Sequence, residues 1–199
     1  MKIAAGILSY FIGAIPFGYL LFRLSEKRDI RRFGSRSTGA TNVLRLKGWR
    51  YAIPVALLDI GKGFLPAFVV LKVYGEPKLS AVCASLSVVG HCFPVYIGFK
   101  GGKGVATAAG AMFAIALEPA LLSLVVFIAT VVLTRYVSLG SILAAALFPL
   151  FLILFGIPLP VLLLSLPVLA IILIRHAGNI GRLIRGTERK FGQKVGIET

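Results

Sequence analysis

The sequence predicts an all-α integral membrane protein, a single polytopic domain over residues 1–199 built as a bundle of seven transmembrane helices. Three observations predict this class. The 199 residues are 58% hydrophobic, and their mean hydropathy is +0.93. The apolar residues fall into runs that approach the ~20 residues needed to cross a membrane. Basic residues cluster between these runs, as they do in the cytoplasmic loops of membrane proteins.

The seven apolar runs are oriented by the charges between them. The first run begins directly after Met1 and Lys2 without a small-residue cleavage site, which favours a permanent span over a cleaved signal. Residues 23–50 then hold nine Lys and Arg against two acids, which predicts a cytoplasmic loop, an outside N-terminus and a cytoplasmic C-terminus. The predicted spans are about residues 3–22, 51–74, 79–99, 105–117, 120–134, 136–155 and 161–174. Pro16 and Gly18 predict a local bend in the first span.

The count of seven depends on residues 105–134. The run 105–117 supplies about 13 residues, fewer than a usual crossing, and we expect Glu118 and Pro119 to separate it from the next span. If residues 105–134 formed one span, the count would be six, and the basic tail at residues 175–199 would lie outside. The charge of that tail favours seven.

Two charged residues, Asp59 and Lys62, interrupt the second span. Their spacing places them on one helix face. Each charge would cost about 2.5–3.5 kcal/mol at the bilayer centre, so we expect them to face the bundle as a structural ion pair. Cys83 and Cys92 also lie in an apolar run, where packing is a better explanation than a disulfide framework.

The chain is organised around residues 90–104, which read GHCFPVYIGFKGGKG. Glycine reaches positive φ without a Cβ clash, so a Gly-Gly-Lys-Gly turn can expose consecutive backbone N–H groups. Such a turn before a helix attracts phosphate or carboxylate. Lys103 adds a mobile positive charge, and His91 stands at the near side of the same segment. This segment therefore predicts an anion site at the membrane face.

Two further polar segments fall on the same predicted face, residues 35–43 (SRSTGATNV) and residues 175–188 (RHAGNIGRLIRGTE). All three segments combine glycine with fixed positive charge and with hydroxyl, amide or imidazole groups, a set that suits phosphate. They hold no acidic cluster, which argues against a two-metal site or a pair of catalytic carboxylates. We therefore expect no metal and no cofactor.

The excess of 22 basic over 7 acidic residues has an ordinary explanation in membrane orientation and attraction to anionic lipid. Nucleic acid is disfavoured as a partner because the basic stretches adjoin apolar spans.

The roles of individual residues are also open to alternatives. Ser35 could be a hydroxyl partner of His91, although a helix N-cap is the commoner role for serine. His91 and His176 could equally be interfacial histidines with satisfied hydrogen bonds, and Arg175, Arg182 and Arg185 could be lipid-facing anchors.

Four stretches of the sequence resemble the cytoplasmic motifs of the bacterial acyl-phosphate:glycerol-3-phosphate acyltransferases, the PlsY family. They are SRSTGATN, LLDIGKG at residues 57–63, GHCFPVYIGFKGGKGVAT and RHAGNIGRLIRGTE. The resemblance extends in order over nearly the whole chain. It implies a multi-pass protein of the bacterial inner membrane that transfers a fatty acyl group from acyl phosphate to the first hydroxyl of glycerol 3-phosphate. The implied products are lysophosphatidic acid, for phospholipid synthesis, and phosphate, formed at the cytoplasmic face.

The resemblance also implies roles for single residues. Ser35 and His91 would be the catalytic residues, as polarising and positioning groups near the reacting centre. Gly101, Gly102 and Gly104, with Thr38 and Asn42, would bind the acyl-phosphate head, and Arg45, Lys103, His176 and Asn179 would bind glycerol 3-phosphate, although the two phosphates could be exchanged. Arg36, Ser37 and Thr41 complete the expected substrate-binding set. Glu188 would be structural, tying the tail to an arginine, and the acyl chain would run between apolar helices.

Two other functions compete with the enzyme. An anion or organophosphate transporter could use Lys62 and the short run 105–117 at a midplane site, but the polar groups gather at one face and no inverted repeat is evident. A membrane scaffold with basic lipid-binding loops predicts that the glycines at residues 101–104 are dispensable. An enzyme predicts that alanine at these glycines abolishes turnover.

Overall fold

The regular secondary structure of residues 1–193, which are the residues that the computed structural model describes, is entirely helical. Residues 194–199, the end of the predicted basic tail, lie outside the described residues. The α-helices are α1 (Lys2–Ala14), α2 (Phe17–Glu26), α3 (Ala40–Lys47), α4 (Trp49–Tyr74), α5 (Pro77–Cys92), α6 (Val105–Ile115), α7 (Leu117–Thr134), α8 (Val137–Leu154), α9 (Leu159–Arg175) and α10 (Ala177–Ile184). Short 3-10 turns lie at Ile30–Arg32 and Val95–Ile97.

The apolar helices account for the predicted spans. Five helical stretches within residues 1–193 are long and apolar enough to cross a membrane: Lys2–Glu26, Trp49–Tyr74, Pro77–Ile97, Leu117–Thr134 and Val137–Leu154. A sixth candidate combines α9 and α10, which are bent by 55° at their junction. Helix α6 is apolar but has 11 residues, so it falls short of a full crossing. The all-α class is confirmed, while seven crossings and their orientation stay predictions.

One predicted boundary is wrong. The break after α6 falls at Ala116, and α7 already begins at Leu117. Pro119 fits the first turn of α7 because the N–H groups there have no helical acceptor, and Glu118 is favoured near the positive end of the helix. The predicted span 79–99 corresponds to the helical stretch Pro77–Ile97, within which helix α5 ends at Cys92 and a 3-10 turn follows. Phe93 precedes Pro94, and a residue before proline is pushed out of the helical conformation.

The local features of the first three predicted spans are as predicted. The helix breaks between Ala14 and Phe17, because Pro16 has no N–H to donate. Asp59 and Lys62 form an ion pair of 2.8 Å within α4. Cys83 and Cys92 are buried and carry free thiols.

Glycines bring two pairs of helices into backbone contact. A Cβ at Gly63 of α4 would lie 1.9 Å from the carbonyl oxygen of Thr107 on α6, and a Cβ at Gly90 of α5 would lie 2.3 Å from that of Tyr10 on α1. Small residues at helix contacts allow this approach in membrane bundles. The α4–α6 and α1–α5 contacts hold the helices that carry Asp59 and His91.

Three loop segments meet at one end of the bundle. Arg31 donates to the carbonyl of Ile97 at 2.7 Å, and Arg175 donates to the carbonyls of Gly102 and Gly101 at 3.0 and 2.8 Å. Lys2 pairs with Glu76 at the opposite end, at 2.5 Å. The predicted polar segments 90–104 and 175–188 therefore meet, and residues 35–43 join them at a shared cavity, although the three are far apart in sequence.

Candidate active site

A cavity of about 360 Å³ opens where the three polar segments meet. Its polar end includes most of the residues expected to form the site, namely Ser35, Ser37, Thr41, Asn42, Arg45, His91, Lys103, Gly104, His176 and Asn179. Arg36, Thr38, Gly101 and Gly102 are absent from its wall. Arg36 is exposed, and the carbonyl of Thr38 faces α2, where a Cβ on Gly18 would lie 1.9 Å away.

The segment 35–43 is held in shape by the side chain of Asn42, which is 1% exposed. Its Oδ1 accepts from the backbone N–H of Ser35 at 2.8 Å, and its Nδ2 donates to the carbonyl of Ser37 at 2.8 Å. The amide of Asn42 thus holds the loop in place. The N-cap of α3 is Gly39, so Ser35 is no helix cap, and it lines the cavity instead.

The glycine loop, residues 101–104, does not form the expected row of N–H groups that are free to bind an anion. Gly101 donates its N–H to the carbonyl of Cys92 at 3.2 Å, and Gly102 donates to that of His91 at 3.1 Å. The last carbonyls of a helix lack intrahelical partners, and here the loop supplies donors to the end of α5. Arg175 in turn binds the carbonyls of both glycines. The cavity is reached by Lys103 and Gly104 at the start of α6.

Lys103 belongs to a hydrogen-bonded chain that reaches the tail. Its ammonium donates to Oδ1 of Asn179. Asn179 Nδ2 donates to Oε1 of Glu188 at 2.6 Å, and Ser138 donates to the same oxygen at 3.0 Å. Arg182 donates to Oε2 of Glu188 at 2.7 Å. Glu188 therefore ties the tail to an arginine, as expected, and it also lines the cavity.

The surroundings change the ionisation of Lys103 and Glu188. Burial lowers the pKa of Lys103 from 10.5 to about 8, and Glu188 opposes this effect. Burial would raise the pKa of Glu188, but the hydrogen bonds from Asn179, Arg182 and Ser138 outweigh it and leave that pKa lowered. Lys103 is thus a cation that neutralises near the physiological range, whereas Glu188 stays ionised.

His176 lies at the bend between α9 and α10 and is 2% exposed. Its Nδ1 is 2.8 Å from the carbonyl oxygen of Ile172. A carbonyl only accepts, so Nδ1 carries the hydrogen and Nε2 is left to accept a hydrogen bond or to bind an anion once protonated. The bend places this ring at the cavity wall beside Asn179.

Sequence reasoning missed several polar residues at the cavity, among them Asp59 and Ser138. Asp59 lines the wall and approaches His91, with 3.6 Å between its Oδ1 and the Nδ1 of the ring. Ser138 lines the wall at the start of α8 and binds Glu188. The charge of Asp59 within an apolar span was the available signal, since such residues are functional-site candidates. The position of Ser138 gave no comparable signal.

The other end of the cavity is apolar and lies between four helices. Ile60 of α4, Met112 and Phe113 of α6, Phe127 of α7 and Ala144 of α8 form part of its wall. The arrangement can hold an amphiphile, with an anionic head against the cations and a hydrocarbon tail between the helices. Within residues 1–193, no group of three or more His, Cys, Asp or Glu is placed to hold a metal ion.

Known proteins are similar to this chain in sequence and fold. The family model described as glycerol-3-phosphate acyltransferase matches residues 3–186. A glycerol-3-phosphate acyltransferase of Aquifex aeolicus (strain VF5) is 43% identical over 186 residues, or 93% of this chain and 96% of that protein. One of Desulforamulus reducens is 43% identical over 187 residues, covering 94% and 93%.

Two solved structures are also similar. Crystal structures of PlsY (YgiH), described as an integral membrane glycerol 3-phosphate acyltransferase, each cover 96% of this chain and 96% of their own. The glycerol 3-phosphate form has a TM-score of 0.92 at 42% identity. The lysophosphatidic acid form has a TM-score of 0.89 at 41% identity.

Proposed function

The chain belongs to the glycerol-3-phosphate acyltransferase family, and from this premise we propose that it transfers a fatty acyl group from acyl phosphate to the first hydroxyl of glycerol 3-phosphate. The products are lysophosphatidic acid and phosphate. The PlsY structures with glycerol 3-phosphate and with lysophosphatidic acid support the acceptor and the product.

One observation carries the proposal: the wall of one cavity combines cationic residues with apolar side chains from the helices. Glycerol 3-phosphate is a small dianion, and acyl phosphate joins a phosphate to a hydrocarbon chain. Both substrates therefore need N–H donors and cations side by side, and the donor also needs a channel between apolar helices. The cavity offers both environments.

The transfer needs little activation from the protein. The hydroxyl oxygen of glycerol 3-phosphate forms a bond to the acyl carbonyl carbon, and the bond from that carbon to the phosphate oxygen breaks. Phosphate is a good leaving group, and a substrate phosphate oxygen takes the hydroxyl proton. The protein positions the two substrates and stabilises the negative charge that develops, and one preorganised donor typically contributes about 3–4 kcal/mol.

We assign the residues at the cavity to these tasks. Ser35 and His91 serve the reacting carbonyl as polarising and positioning groups. Arg45, Lys103, His176 and Asn179 hold glycerol 3-phosphate, while Gly104 and Thr41 serve the acyl-phosphate head. Gly101, Gly102 and Asn42 act by holding the loops in shape, since their polar groups are used in loop hydrogen bonds.

We also propose that the protein crosses the inner membrane seven times, with the cavity mouth in the cytoplasm. The basic segments that meet at the cavity support this orientation. Single cysteines at Lys78 and Lys100 test it, because Lys78 lies in the first turn of α5 and Lys100 lies in the loop after the opposite end of that helix. In intact cells an impermeant maleimide should label the cysteine at 78 and spare that at 100, and the reverse result would contradict the orientation.

The reaction is tested with the purified protein, palmitoyl phosphate and labelled glycerol 3-phosphate, in the presence of a chelator and without coenzyme A. We expect labelled lysophosphatidic acid. Product formed only from acyl-CoA or an acyl carrier thioester would contradict the proposed donor. Uptake of glycerol 3-phosphate into proteoliposomes without lipid product would favour a transporter.

A further inference from the structure

Three polar side chains from two helices form a buried cluster beside the cavity. Asp59 and Lys62 of α4 are 2% and 4% exposed, and His91 of α5 is 6% exposed. Lys62 Nζ lies 2.8 Å from Oδ1 of Asp59, outside hydrogen-bonding alignment, and donates its hydrogen bond to the carbonyl of Ile15 at 2.7 Å. That carbonyl is at the break between α1 and α2. Lys62 therefore compensates the charge of Asp59 and anchors the broken helix.

The carboxylate of Asp59 and the ring of His91 face each other. Asp59 Oδ1 lies 3.6 Å from His91 Nδ1, and neither atom has a hydrogen-bond partner among the described residues. A small rotation of either side chain would bring the two atoms into hydrogen-bonding distance. Buried polar atoms are nearly always paired. Besides its ionic contact with Lys62, Asp59 Oδ1 thus lies where it can accept a hydrogen bond from His91 Nδ1.

The other side of the His91 ring faces the glycine loop. A Cβ at Gly102 would lie 2.0 Å from Nε2 of His91, and the His91 carbonyl accepts from the Gly102 N–H. The ring is confined between Asp59 on its Nδ1 side and the loop on its Nε2 side. A carboxylate that accepts from one ring nitrogen selects the tautomer and orients the other nitrogen.

We propose that Asp59 is a positioning residue for the acyl transfer, acting through His91. Its carboxylate accepts the Nδ1–H of His91, so that Nε2 is the nitrogen presented beside the glycine loop. Lys62 keeps this carboxylate in the helix bundle by balancing its charge. This inference rests on the proposed function, because it assigns His91 to the reacting centre. The competing explanation is a purely structural ion pair that joins α4 to the α1–α2 break.

The test must remove the carboxylate without leaving Lys62 as an uncompensated buried charge. Replacing both members of the pair, Asp59→Leu with Lys62→Met, achieves this, because apolar residues of similar size replace buried ion pairs at little cost in stability. Ser80→Ala is the matched control. It removes another buried contact between α5 and α4, the 2.7 Å hydrogen bond from Ser80 to the Ala67 carbonyl, away from His91.

The activity measurement is a double-mutant cycle with His91→Ala. We expect the paired variant to lower kcat by roughly tenfold to a hundredfold, the usual effect of losing an orienting partner, with KM for both substrates little changed. The same replacement in a His91→Ala background should have almost no further effect, because coupled residues are not additive. Equal losses in both backgrounds, or no loss with His91 present, would overturn the inference. Ser80→Ala should leave kcat unchanged.

A second measurement does not depend on turnover. Nitrogen-15 NMR of histidine-labelled protein in lipid reports which ring nitrogen carries the proton, and His91→Ala assigns the signal. We expect His91 to carry the hydrogen on Nδ1, and to lose this preference in the paired variant. An unchanged tautomer would refute the positioning role. If the tautomer responds but the wild type makes no lipid product, the proposed function fails and the Asp59–His91 interaction stands.

Discussion

At the scale of single residues, Lys103 shows how burial adjusts a substrate-binding cation. Its pKa of about 8 lies well below the ordinary 10.5 because the ammonium is buried, and Asn179 and Glu188 hold it in place. A cation that titrates near pH 8 makes substrate binding depend on pH.

We therefore predict that KM for glycerol 3-phosphate rises as the pH increases through about 8, because Lys103 loses its charge. Steady-state kinetics from about pH 7 to 9.5 measures this effect. Lys103→Arg keeps its charge over this interval, so its KM should stay flat. A wild-type KM that does not change with pH would contradict the assignment of Lys103 to the phosphate.

The lowered pKa of Lys103 also predicts that the free energy of unfolding increases with pH, although substrate binding weakens. Between about pH 8 and 10.5, the unfolded chain keeps the Lys103 proton that the folded chain has lost. The free energy of unfolding should therefore rise with pH over this interval. Thermal unfolding of wild type and of Lys103→Met measures how stability changes with pH in each protein. The increase between about pH 8 and 10.5 should be smaller in Lys103→Met, which has no ammonium to lose its proton.

Gly102 lies against the ring of His91, and its replacement tests the role of that contact. A Cβ there would be 2.0 Å from Nε2, so Gly102→Ala must displace the ring. We expect kcat to fall at least about tenfold, because a small displacement of a catalytic group strongly lowers the rate. The unfolding temperature should change little. Gly61→Ala is the control, since a Cβ at Gly61 meets nothing within 4 Å. Full activity of Gly102→Ala would contradict the role of His91.

At the scale of helices and segments, the crossing of α4 with α6 carries the site. A Cβ at Gly63 would lie 1.9 Å from the Thr107 carbonyl, and one at Gly110 would lie 2.0 Å from the Ile60 carbonyl. The contacting atoms belong to backbones, which cannot rotate away. The two helices must therefore separate if either glycine is replaced.

We predict that Gly63→Ala destabilises the protein by about 1–3 kcal/mol, the usual cost of overpacking. Thermal unfolding in detergent measures this, and Gly61→Ala on the same helix should be neutral or slightly stabilising. Activity should fall with Gly63→Ala because Asp59 moves with α4. Equal unfolding temperatures for the two variants would show that the helices do not pack as described.

The tail after α10, residues 185–193, packs against the end of α7 and the start of α4, and we call it the strap. The N–H of Phe191 donates to the Arg135 carbonyl at 2.6 Å, and its ring meets Trp49 edge to face at 5.7 Å. Glu188 lies on this strap and binds Asn179. The contact between Phe191 and Trp49 thus supports a residue of the cavity wall from a distance.

We predict that Phe191→Ala raises KM for glycerol 3-phosphate roughly twofold to tenfold. This range corresponds to the free energy that an aromatic pair usually contributes. Trypsin should also cleave faster at Arg189 and Lys190. Trp49→Phe, which keeps an aromatic ring, is the matched control and should change neither property. Unchanged kinetics with Phe191→Ala would show that the strap does not support the site.

At the scale of the whole molecule, the helices enclose a space that none of them forms alone. The apolar end of the cavity lies between α4, α6, α7 and α8. On α7, Ala120 is 4% exposed and lines the cavity, whereas Leu121 is 47% exposed on the outer side. These two neighbouring residues therefore lie on different faces of α7, Ala120 on the face toward the cavity and Leu121 on the outer face.

We predict that Ala120→Phe shifts selectivity toward shorter acyl chains, because the added ring occupies space that the chain needs. The ratio of kcat/KM for short and long acyl phosphates should change about tenfold or more, since each methylene in such a pocket contributes about 1–3 kcal/mol. Leu121→Phe adds a ring on the outer side and should leave the ratio unchanged. The same ratio in both variants would place the acyl chain elsewhere.

The sequence by itself determined the helical class, most helix positions and the three polar segments. Apolar runs, prolines and loop charges act locally, so they can be interpreted without knowledge of the packing. Even there, the helix boundaries at Cys92 and Leu117 depended on the first-turn and pre-proline preferences of single residues.

Only the tertiary structure decided which polar groups meet. Asp59 faces His91, and Glu188 joins Asn179 to Ser138, across helices that are distant in sequence. It also turned the N–H groups of Gly101 and Gly102 toward the end of α5. The physical reason is that helix packing depends on close contacts between whole faces, at residues such as Gly63 and Gly90, and no local pattern specifies which faces will touch.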